Sequence, residues 1–138
     1  MSKHNKILGK LGEEYVCEFL KKNGYNILKE NYKTTYAEID IIAQKGEIIA
    51  FVEVKTRENR EFGEPYEAVT KNKQRLIKNA ARVYMLNHED KIASFDVAEV
   101  IGVVTRKGLV ASDTPSVHNG HELKLDVLDF NYIEEAFC

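Results

Sequence analysis

The sequence predicts an α/β protein with a mixed central sheet flanked by helices. Residues 38–57 hold two apolar, β-branched runs around a Lys45-Gly46 turn signal, a pattern typical of a β-hairpin. Residues 5–22 and 70–87 instead repeat apolar side chains at helical spacing. Two further strand-like runs lie at 25–32 and 94–105. The predicted order of elements is therefore α-β-β-β-α-β, with a helix after the hairpin.

The composition fits one domain spanning residues 1–138, in which 112–138 are interpreted as a loop and tail. Of the 138 residues, 43% are hydrophobic and 30% are charged, which argues against a disordered chain. No apolar run has the length of a membrane span, and residues 1–10 lack a signal-peptide core. Cys17 and Cys138 are too few for a disulfide framework, so we expect free thiols in a cytoplasmic protein without a membrane partner. A formal net charge of −2 gives no general attraction to nucleic acid, so such a contact requires a local basic patch.

The first predicted helix, residues 5–22, has an apolar stripe and ends at the stop signal Asn23-Gly24. Glu13 and Glu14 fall on opposite flanks of this stripe. Periodicity alone therefore leaves open which of the two carboxylates faces the sheet. The polar residues 33–36 are expected to form the turn that leads from the first strand into the hairpin.

The hairpin carries charged side chains at positions where an unpaired charge would be costly to bury. With a loop of two or four residues, Glu38 is expected to pair with Glu53, and Asp40 with Phe51. Because side chains alternate along a strand, Asp40, Glu53 and Lys55 are expected on one face of the hairpin.

These side chains suggest a specific chemistry. Two carboxylates about 4 Å apart repel each other by roughly 4 kcal/mol at an effective dielectric near 20, so Asp40 and Glu53 require a shared proton, a cation or basic partners. Mg²⁺ or Mn²⁺ suits such a pair because it prefers oxygen ligands, to which the carbonyl of Val54 adds one. Lys55 would then assist a metal-bound water or stabilise a phosphoryl oxygen. The alternative is a structural ion pair of Lys55 with either carboxylate, and the spacing does not choose between the two.

The second helix is expected to begin after the N-cap Thr70 and to have a buried and a basic face. The predicted buried residues are Leu76, Ile77, Ala80, Val83 and Tyr84. A basic stripe on another face consists of Lys71, Arg75, Lys78 and Arg82. The stripe is either an ordinary solvated face or a track for a phosphate backbone. Lys73 falls among the buried positions and is expected to point into the site, and Arg57 precedes a polar loop, 58–66, where a substrate would approach.

The C-terminal part has weaker patterns. Asp96, near the start of the strand 94–105, either supports the site residues from behind or is an ordinary strand-start charge, and we favour the second interpretation. Residues 112–122 are expected to form a loop, and His118 and His121 are not taken as a metal site because no second pair of ligands lies nearby. Residues 123–137 are expected to supply a short strand and a final turn of helix.

Several segments resemble the YraN-like family of endonuclease-fold proteins, among the restriction-endonuclease-like nucleases. The most specific are 51–57, Phe-Val-Glu-Val-Lys-Thr-Arg, and 38–40, Glu-Ile-Asp, which together resemble the D…ExK core of those nucleases. The other matching segments are 9–13, 28–32, 62–63, 73–76, 95–97 and 136–137. The order of a helical Glu, an Asp and then ExK is also similar to that of the archaeal Holliday-junction resolvases. Two residues depart from the family pattern: Ala37 stands where Gly is usual, and Ser94 stands where Arg is usual and so removes a cation.

The resemblance implies a restriction-endonuclease-like fold. It also implies catalytic roles for Glu13, Asp40, Glu53 and Lys55, with the metal held by Asp40, Glu53 and Val54. The expected activity is a Mg²⁺- or Mn²⁺-dependent hydrolysis of phosphodiester bonds by a DNA endonuclease, on branched or damaged DNA. The expected nucleic-acid contacts are Arg57, Lys71, Lys73, Arg75, Lys78 and Arg82. The competing hypothesis is a non-catalytic nucleic-acid-binding module that keeps the nuclease fold. The oligomeric state stays open, with a homodimer as one alternative.

Overall fold

The computed structural model describes residues 2–59, 69–106 and 123–138. These residues form seven elements, which are α1 (Lys3–Lys22), β1 (Asn26–Lys33), β2 (Glu38–Lys45), β3 (Ile48–Arg57), α2 (Lys71–Met85), β4 (Ile92–Arg106) and β5 (Leu123–Ile133). The strands make one sheet in the order β1-β2-β3-β4-β5. β3 and β4 pair in parallel, with α2 between them in the chain, and the other neighbours pair antiparallel. The predicted α/β class with a mixed sheet and flanking helices is confirmed.

Local capping chemistry sets the ends of the helices. The Ser2 side chain accepts the backbone N–H of Asn5 at the start of α1, and the Thr70 side chain accepts the backbone N–H of Lys73 at the start of α2. After α1 the chain turns through Gly24, whose φ of +89° favours glycine. Both helices therefore lie within two residues of their predicted bounds.

The two helices cover opposite faces of the sheet. α1 packs in one apolar cluster with Ala50 and Val52 of β3, while α2 packs in another with Ile49 and Phe51 of the same strand. Because neighbouring residues of a strand point to opposite faces, the chain forms three layers. Residues 41–43 and 49–52 are buried on both faces, which explains why these runs are apolar at every position.

The register of the β2–β3 hairpin differs from the prediction by two residues. The ladder begins with the pair of Lys45 and Ile48, so the turn consists of Gly46 and Glu47. Gly46 adopts φ +59°, a conformation that favours glycine in tight hairpin turns. The turn signal was therefore in the right place, but the glycine occupies the first rather than the second position of the turn.

The predicted pairs of Glu38 with Glu53 and of Asp40 with Phe51 are wrong in consequence. Phe51 pairs with Ile42 instead. A slip of one residue would have moved every side chain of a strand to the other face, whereas a slip of two preserves the faces. The error therefore changes the cross-strand neighbours and leaves the alternation of β3 unchanged.

Two predictions about α2 and the chain end are also wrong. Val83 is 60% exposed rather than buried, because the buried face of α2 follows Ile77, Ala80, Ala81 and Tyr84 and so runs past it. Residues 123–133 form an eleven-residue strand rather than a short strand and tail. A turn at 134–135 follows β5 in place of the predicted helical turn.

Asp96 on β4 fixes this last turn. Its carboxylate accepts the hydroxyl protons of Ser94 and Tyr132, each at 2.5 Å, and the backbone N–H of Glu135 at 3.0 Å. Burial and the charge of Asp96 raise the pKa of Tyr132, so its phenol stays protonated and donates. Asp96 is 1% exposed. The interpretation of Asp96 as an ordinary strand charge is therefore wrong.

The predicted loops at 58–66 and 112–122, with His118 and His121, lie largely outside the described residues. Within the described part of the chain, no helix is long and apolar enough to cross a membrane.

Candidate active site

Acidic side chains gather where β2 and β3 separate. The ladder between these strands runs as far as the pair of Ile41 and Val52. Just beyond it, Asp40 Oδ2 accepts the backbone N–H of Val54 at 2.8 Å, which fixes the carboxylate across the gap. Glu53, between Val52 and Val54, is 5% exposed and within hydrogen-bonding reach of Asp40. The D…ExK residues are therefore neighbours in space as well as in sequence.

A cavity of about 610 Å³ opens at this point of the sheet. Its lining combines three elements, with Glu13 from α1, Asp40 from β2, and Glu53, Lys55 and Arg57 from β3. The four residues predicted to be catalytic thus line one cavity. Val54, whose carbonyl was predicted to be a metal ligand, lines it too.

Two lysines approach the same oxygen of Glu53. Lys73 Nζ, from α2, lies 2.9 Å from Glu53 Oε1, and Lys55 Nζ lies 3.7 Å from it. Glu53 Oε2 is buried and accepts no hydrogen bond from any donor among the described residues. A buried acceptor without a donor is costly, so this oxygen is suited to bind a cation or a shared proton.

The electrostatics of the cavity favour neutralisation of its acids. Burial, then the charge of Glu53, raises the pKa of Asp40 to about 8, although the hydrogen bond from Val54 opposes the shift. In the absence of a cation, the pair of Asp40 and Glu53 therefore retains a proton more readily than isolated carboxyls do. A divalent cation would replace that proton, because it supplies the positive charge that the buried pair lacks.

The two lysines differ in their protonation. Burial, then the nearby charge of Lys73, lowers the pKa of Lys55, although Glu53 and Asp40 oppose the shift. Burial also lowers the pKa of Lys73, but its hydrogen bond to Glu53 and the nearby carboxylates outweigh this effect and raise the value overall. Lys55 is thus the lysine better suited to exchange a proton, while Lys73 remains a charged partner of Glu53.

Close packing of α1 on β3 brings Glu13 to the cavity. Gly12 lies so close to Thr56 that a Cβ at position 12 would be 1.8 Å from Thr56 Oγ1. Glu13 is half-buried at the cavity, whereas Glu14 is exposed. The choice that periodicity left open therefore falls on Glu13. Burial and the charge of Glu38 raise the pKa of Glu13.

Asn31 connects α1 to the hairpin and was missed in the sequence. With its amide nitrogen facing the acids, the orientation that satisfies donors and acceptors, it donates to Glu13 Oε1 at 3.3 Å and to Glu38 Oε1 at 3.2 Å. Its φ is +51°, in the left-handed region that Asn tolerates better than most residues. An asparagine inside a strand pattern, where this residue is disfavoured, was the signal that could have drawn attention to it.

A divalent cation fits the oxygen atoms on this chain only in part. Asp40, Glu53 Oε2 and the carbonyl of Val54 are the candidate ligands. Across residues 2–59, 69–106 and 123–138, no three His, Cys, Asp or Glu side chains are arranged to hold a metal ion by themselves. The remaining ligands would have to be water and substrate oxygens, which is the usual arrangement for Mg²⁺ at phosphoryl-transfer sites.

The predicted nucleic-acid contacts separate into two groups. Arg57 lines the carboxylate cavity and Lys73 contacts Glu53, so both belong to the site. The basic stripe lies along α2, where Lys71, Arg75 and Arg82 are exposed and Lys78 is half-buried with its Nζ 5.9 Å from the Phe137 ring centre. Hydrogen bonds to asparagine side chains one turn earlier orient Arg75 and Arg82.

The fold and the site define an α/β protein with buried acids and lysines clustered at the end of a hairpin. The chain belongs to the uncharacterised protein family UPF0102, whose profile matches residues 12–100. It is 47% identical over 136 residues to a UPF0102 protein of Dictyoglomus turgidum, a match covering 97% of this chain and 99% of the relative. A UPF0102 protein of Caldicellulosiruptor saccharolyticus is 41% identical over 132 residues, covering 94% and 96% of the two chains. One from Clostridium perfringens is 49% identical over 104 residues, covering 72% and 84%.

Proposed function

We propose that this protein is a cytoplasmic, metal-dependent nuclease that hydrolyses phosphodiester bonds in DNA. One observation carries the proposal: Glu53 presents a buried oxygen without a donor beside the Asp40 carboxylate, which Val54 holds in place. Paired buried carboxylates with a nearby lysine are a suitable ligand set for Mg²⁺ or Mn²⁺. The motif resemblance to restriction-endonuclease-like nucleases supports the same reaction, as an analogy.

Each residue of the cavity has a role in this proposal. Bound Mg²⁺ or Mn²⁺ would supply positive charge to activate water and to neutralise phosphoryl oxygens. Lys73 holds Glu53 Oε1 and so leaves Oε2 for the cation. Lys55, whose pKa burial lowers, accepts a proton from the attacking water or donates one to a phosphoryl oxygen. Glu13 extends the acidic wall of the cavity from α1.

The cations outside the carboxylate pair would bind the DNA backbone. Arg57 lies at the cavity and the basic stripe runs along α2, so together they provide cations on an otherwise slightly acidic chain. Each phosphate contact on duplex DNA contributes about 0.9 to the slope of log affinity against log salt. Arg82→Ala should therefore lower that slope by about 0.9, and an unchanged slope would identify the stripe as an ordinary solvated face.

A specific observation also favours the second candidate, a non-catalytic nucleic-acid-binding module. Lys73 and Lys55 both approach Glu53, and such ion pairs neutralise an acid without any metal. In that module the cluster of acids and lysines would be structural, and the lysines would also contact phosphates of the nucleic acid.

A cleavage assay distinguishes the two candidates. Purified protein is incubated with Mg²⁺ or Mn²⁺ and with branched, flapped, single-stranded and duplex DNA, alongside Asp40→Asn and the matched control Asp90→Asn. Asp90 has the same carboxyl side chain, but it is 77% exposed beyond α2. We expect metal-dependent cleavage that Asp40→Asn abolishes and Asp90→Asn retains. Cleavage that survives Asp40→Asn would point to a contaminating nuclease, and an inert wild type that still binds DNA would establish the binding module.

Calorimetry with Mg²⁺ or Mn²⁺ tests the metal separately from turnover. Binding should be weak, because substrate oxygens complete the coordination, and should be lost in Asp40→Asn. Equal binding by the wild type and Asp40→Asn would contradict the assignment of the ligands.

A further inference from the structure

Tyr36 is a large aromatic side chain that the proposed function leaves without a role. It lies in the turn between β1 and β2 and is 79% exposed, the highest exposure among the large exposed apolar side chains of the described residues. The turn is well defined, because the backbone N–H of Thr34 donates to the carbonyl of Ala37 at 2.8 Å. Thr34 Oγ1 also accepts the backbone N–H groups of Tyr36 and Ala37. The ring is therefore presented to solvent from a fixed backbone.

Two cavities meet at this ring. One, of about 360 Å³, is lined by Tyr36 together with Asp40 and Lys73 of the carboxylate site. The other, of about 530 Å³, lies between the turn and α2 and is lined by Tyr36, Arg75 and Val83 among others. Both volumes are within the roughly 300–1,000 Å³ range of ordinary ligand sites.

The second cavity has the chemistry of a nucleotide contact. Its apolar lining includes Val83, which is exposed, and its only charged group among the described residues is the guanidinium of Arg75. An aromatic face and apolar side chains bind the face of a base, and a guanidinium binds a phosphate. The described residues of this lining include no carboxylate, so they do not repel a polyanion.

We propose that Tyr36 stacks on an unpaired base of a nucleic-acid strand whose neighbouring phosphate enters the carboxylate site. The substrate class is then DNA with unpaired nucleotides, such as a single strand or a flap, rather than a continuous duplex. In a duplex each base face is already covered by its neighbours, and exposing one costs a few kcal/mol of unstacking. This inference rests on the proposed function, since it extends the same site to its substrate.

Binding to a single-stranded probe tests the inference without any turnover. The probe is an oligothymidine with one central 2-aminopurine, whose fluorescence falls when it stacks, and a blunt duplex of equal length serves for comparison. Asp40→Asn is present in every protein to prevent cleavage. We expect the single strand to bind more tightly than the duplex and its 2-aminopurine fluorescence to fall on binding.

Variants of Tyr36 separate stacking from charge. Tyr36→Ala should weaken single-strand binding about 5- to 150-fold, the equivalent of about 1–3 kcal/mol for one stacked base, and should restore the fluorescence. Tyr36→Phe should keep both signals. Arg75→Ala should lower the salt slope by about 0.7, the single-strand value per phosphate, whereas Tyr36→Ala should leave that slope unchanged. Leu86→Ala is the matched control, since Leu86 is 64% exposed at the end of α2 and lines neither cavity.

The outcomes distinguish this inference from the proposed function. If the protein binds or cleaves DNA and Tyr36→Ala behaves as Leu86→Ala does, the stacking role is wrong while the nuclease proposal stands. If the protein binds neither probe and cleaves nothing, both fail. If Tyr36→Ala instead dissociates a dimer in analytical ultracentrifugation, the cavity between the turn and α2 is a contact between two copies of the chain. The base-stacking assignment is then overturned.

Discussion

Replacement of Gly12 by alanine tests how α1 places Glu13 in the site. An added Cβ would lie 1.8 Å from Thr56 Oγ1 and 2.8 Å from Thr56 Cβ and Cγ2. Rotation of the Thr56 side chain can move Oγ1, but Cβ is fixed by the strand backbone. Ordinary contacts of a Cβ begin near 3.4 Å, so α1 or β3 must move in Gly12→Ala.

Two opposing terms determine the size of the effect. Alanine favours a helix interior by about 1 kcal/mol over glycine. Overpacking of a buried contact costs about 1–3 kcal/mol, and more where the neighbour cannot give way. Because the backbone-attached Cβ of Thr56 is part of the clash, we place the cost at the upper end and expect a net destabilisation of about 1–2 kcal/mol.

Thermal unfolding of Gly12→Ala and of a matched control variant measures the cost of overpacking. Gly9→Ala adds the same methyl group to the same helix, but among the described residues nothing outside the adjoining helix backbone lies within 4 Å of the new Cβ. Gly9→Ala should therefore raise the melting temperature through helix propensity alone, by about 2–5 °C, while Gly12→Ala should lower it. Equal stabilisation by both variants would refute the close approach of α1 to β3.

A compensating substitution in β3 provides a second test of the contact between Gly12 and Thr56. Thr56 Oγ1 is buried and has no hydrogen-bond partner among the described residues, so Thr56→Ala removes two of the three clashing atoms at little cost. The double variant Gly12→Ala/Thr56→Ala should recover only part of the lost stability, because alanine keeps the Cβ of position 56, which would lie 2.8 Å from the new Cβ. The partial recovery is a favourable coupling of the two changes. Since Glu13 follows Gly12, cleavage should fall and recover in parallel, as a displacement of about 1 Å can cost about 10²-fold in rate.

Three further predictions concern the cavity. Burial raises the pKa of Asp40, so the stability this group contributes is fully present below about pH 4 and is lost as the pH rises towards about 8. At about pH 9 in EDTA, thermal unfolding should therefore show Asp40→Asn to be more stable than the wild type by roughly 1–3 kcal/mol. The difference should shrink towards acid pH. Lys55→Ala should lower kcat by about 10²–10³-fold with little change in KM, whereas Lys22→Ala on the far end of α1 should change neither; a raised KM with unchanged kcat would assign Lys55 to binding alone. Asn31→Gly keeps the positive φ but removes the side-chain amide, so the free energy of unfolding should change by less than about 1 kcal/mol while the cleavage rate falls roughly tenfold. If the amide acts through Glu13, the same change should cause no further loss of cleavage in a Glu13→Gln background.

Local chemistry made much of the fold predictable from sequence. Helix ends depend on a cap and a glycine within a few residues, so Thr70 and Gly24 could be identified without knowledge of the sheet. The apolar runs of the hairpin likewise predicted that these strands are buried. The hairpin register was less accessible, because one glycine with positive φ fits either position of a two-residue turn.

β5 was underestimated because its pattern is interrupted. It lies at the edge of the sheet, and its pairing shifts between Ile101 and Gly102 of β4, so that Leu128 is the extra residue and is 66% exposed. Such a bulge breaks the alternation that identifies a strand. An edge strand also buries less surface than a central one, which weakens its apolar signal.

The residues of the candidate site were likewise predictable where their contacts are local and not where they depend on packing between distant elements. Asp40, Glu53 and Lys55 belong to one hairpin, so their proximity follows from local structure. The contributions of Glu13 and Asn31 depend instead on how α1 and β1 pack, which no spacing in the sequence encodes. Lys73 is intermediate, since the helical period indicated that it points inward but not that Glu53 is its partner.

The hydrogen bonds of Asp96 have a consequence for biosynthesis. Tyr132 follows Asp96 by 36 residues and Glu135 by 39. While those residues are still inside the ribosome, the Asp96 carboxylate lacks two of its donors and is better solvated by water than buried beside β3. The nascent chain therefore cannot seal this part of its interior until residues 132 and 135 have left the ribosome. A ribosome stalled shortly before position 132 should hold a protease-sensitive chain, whereas the released protein should resist cleavage.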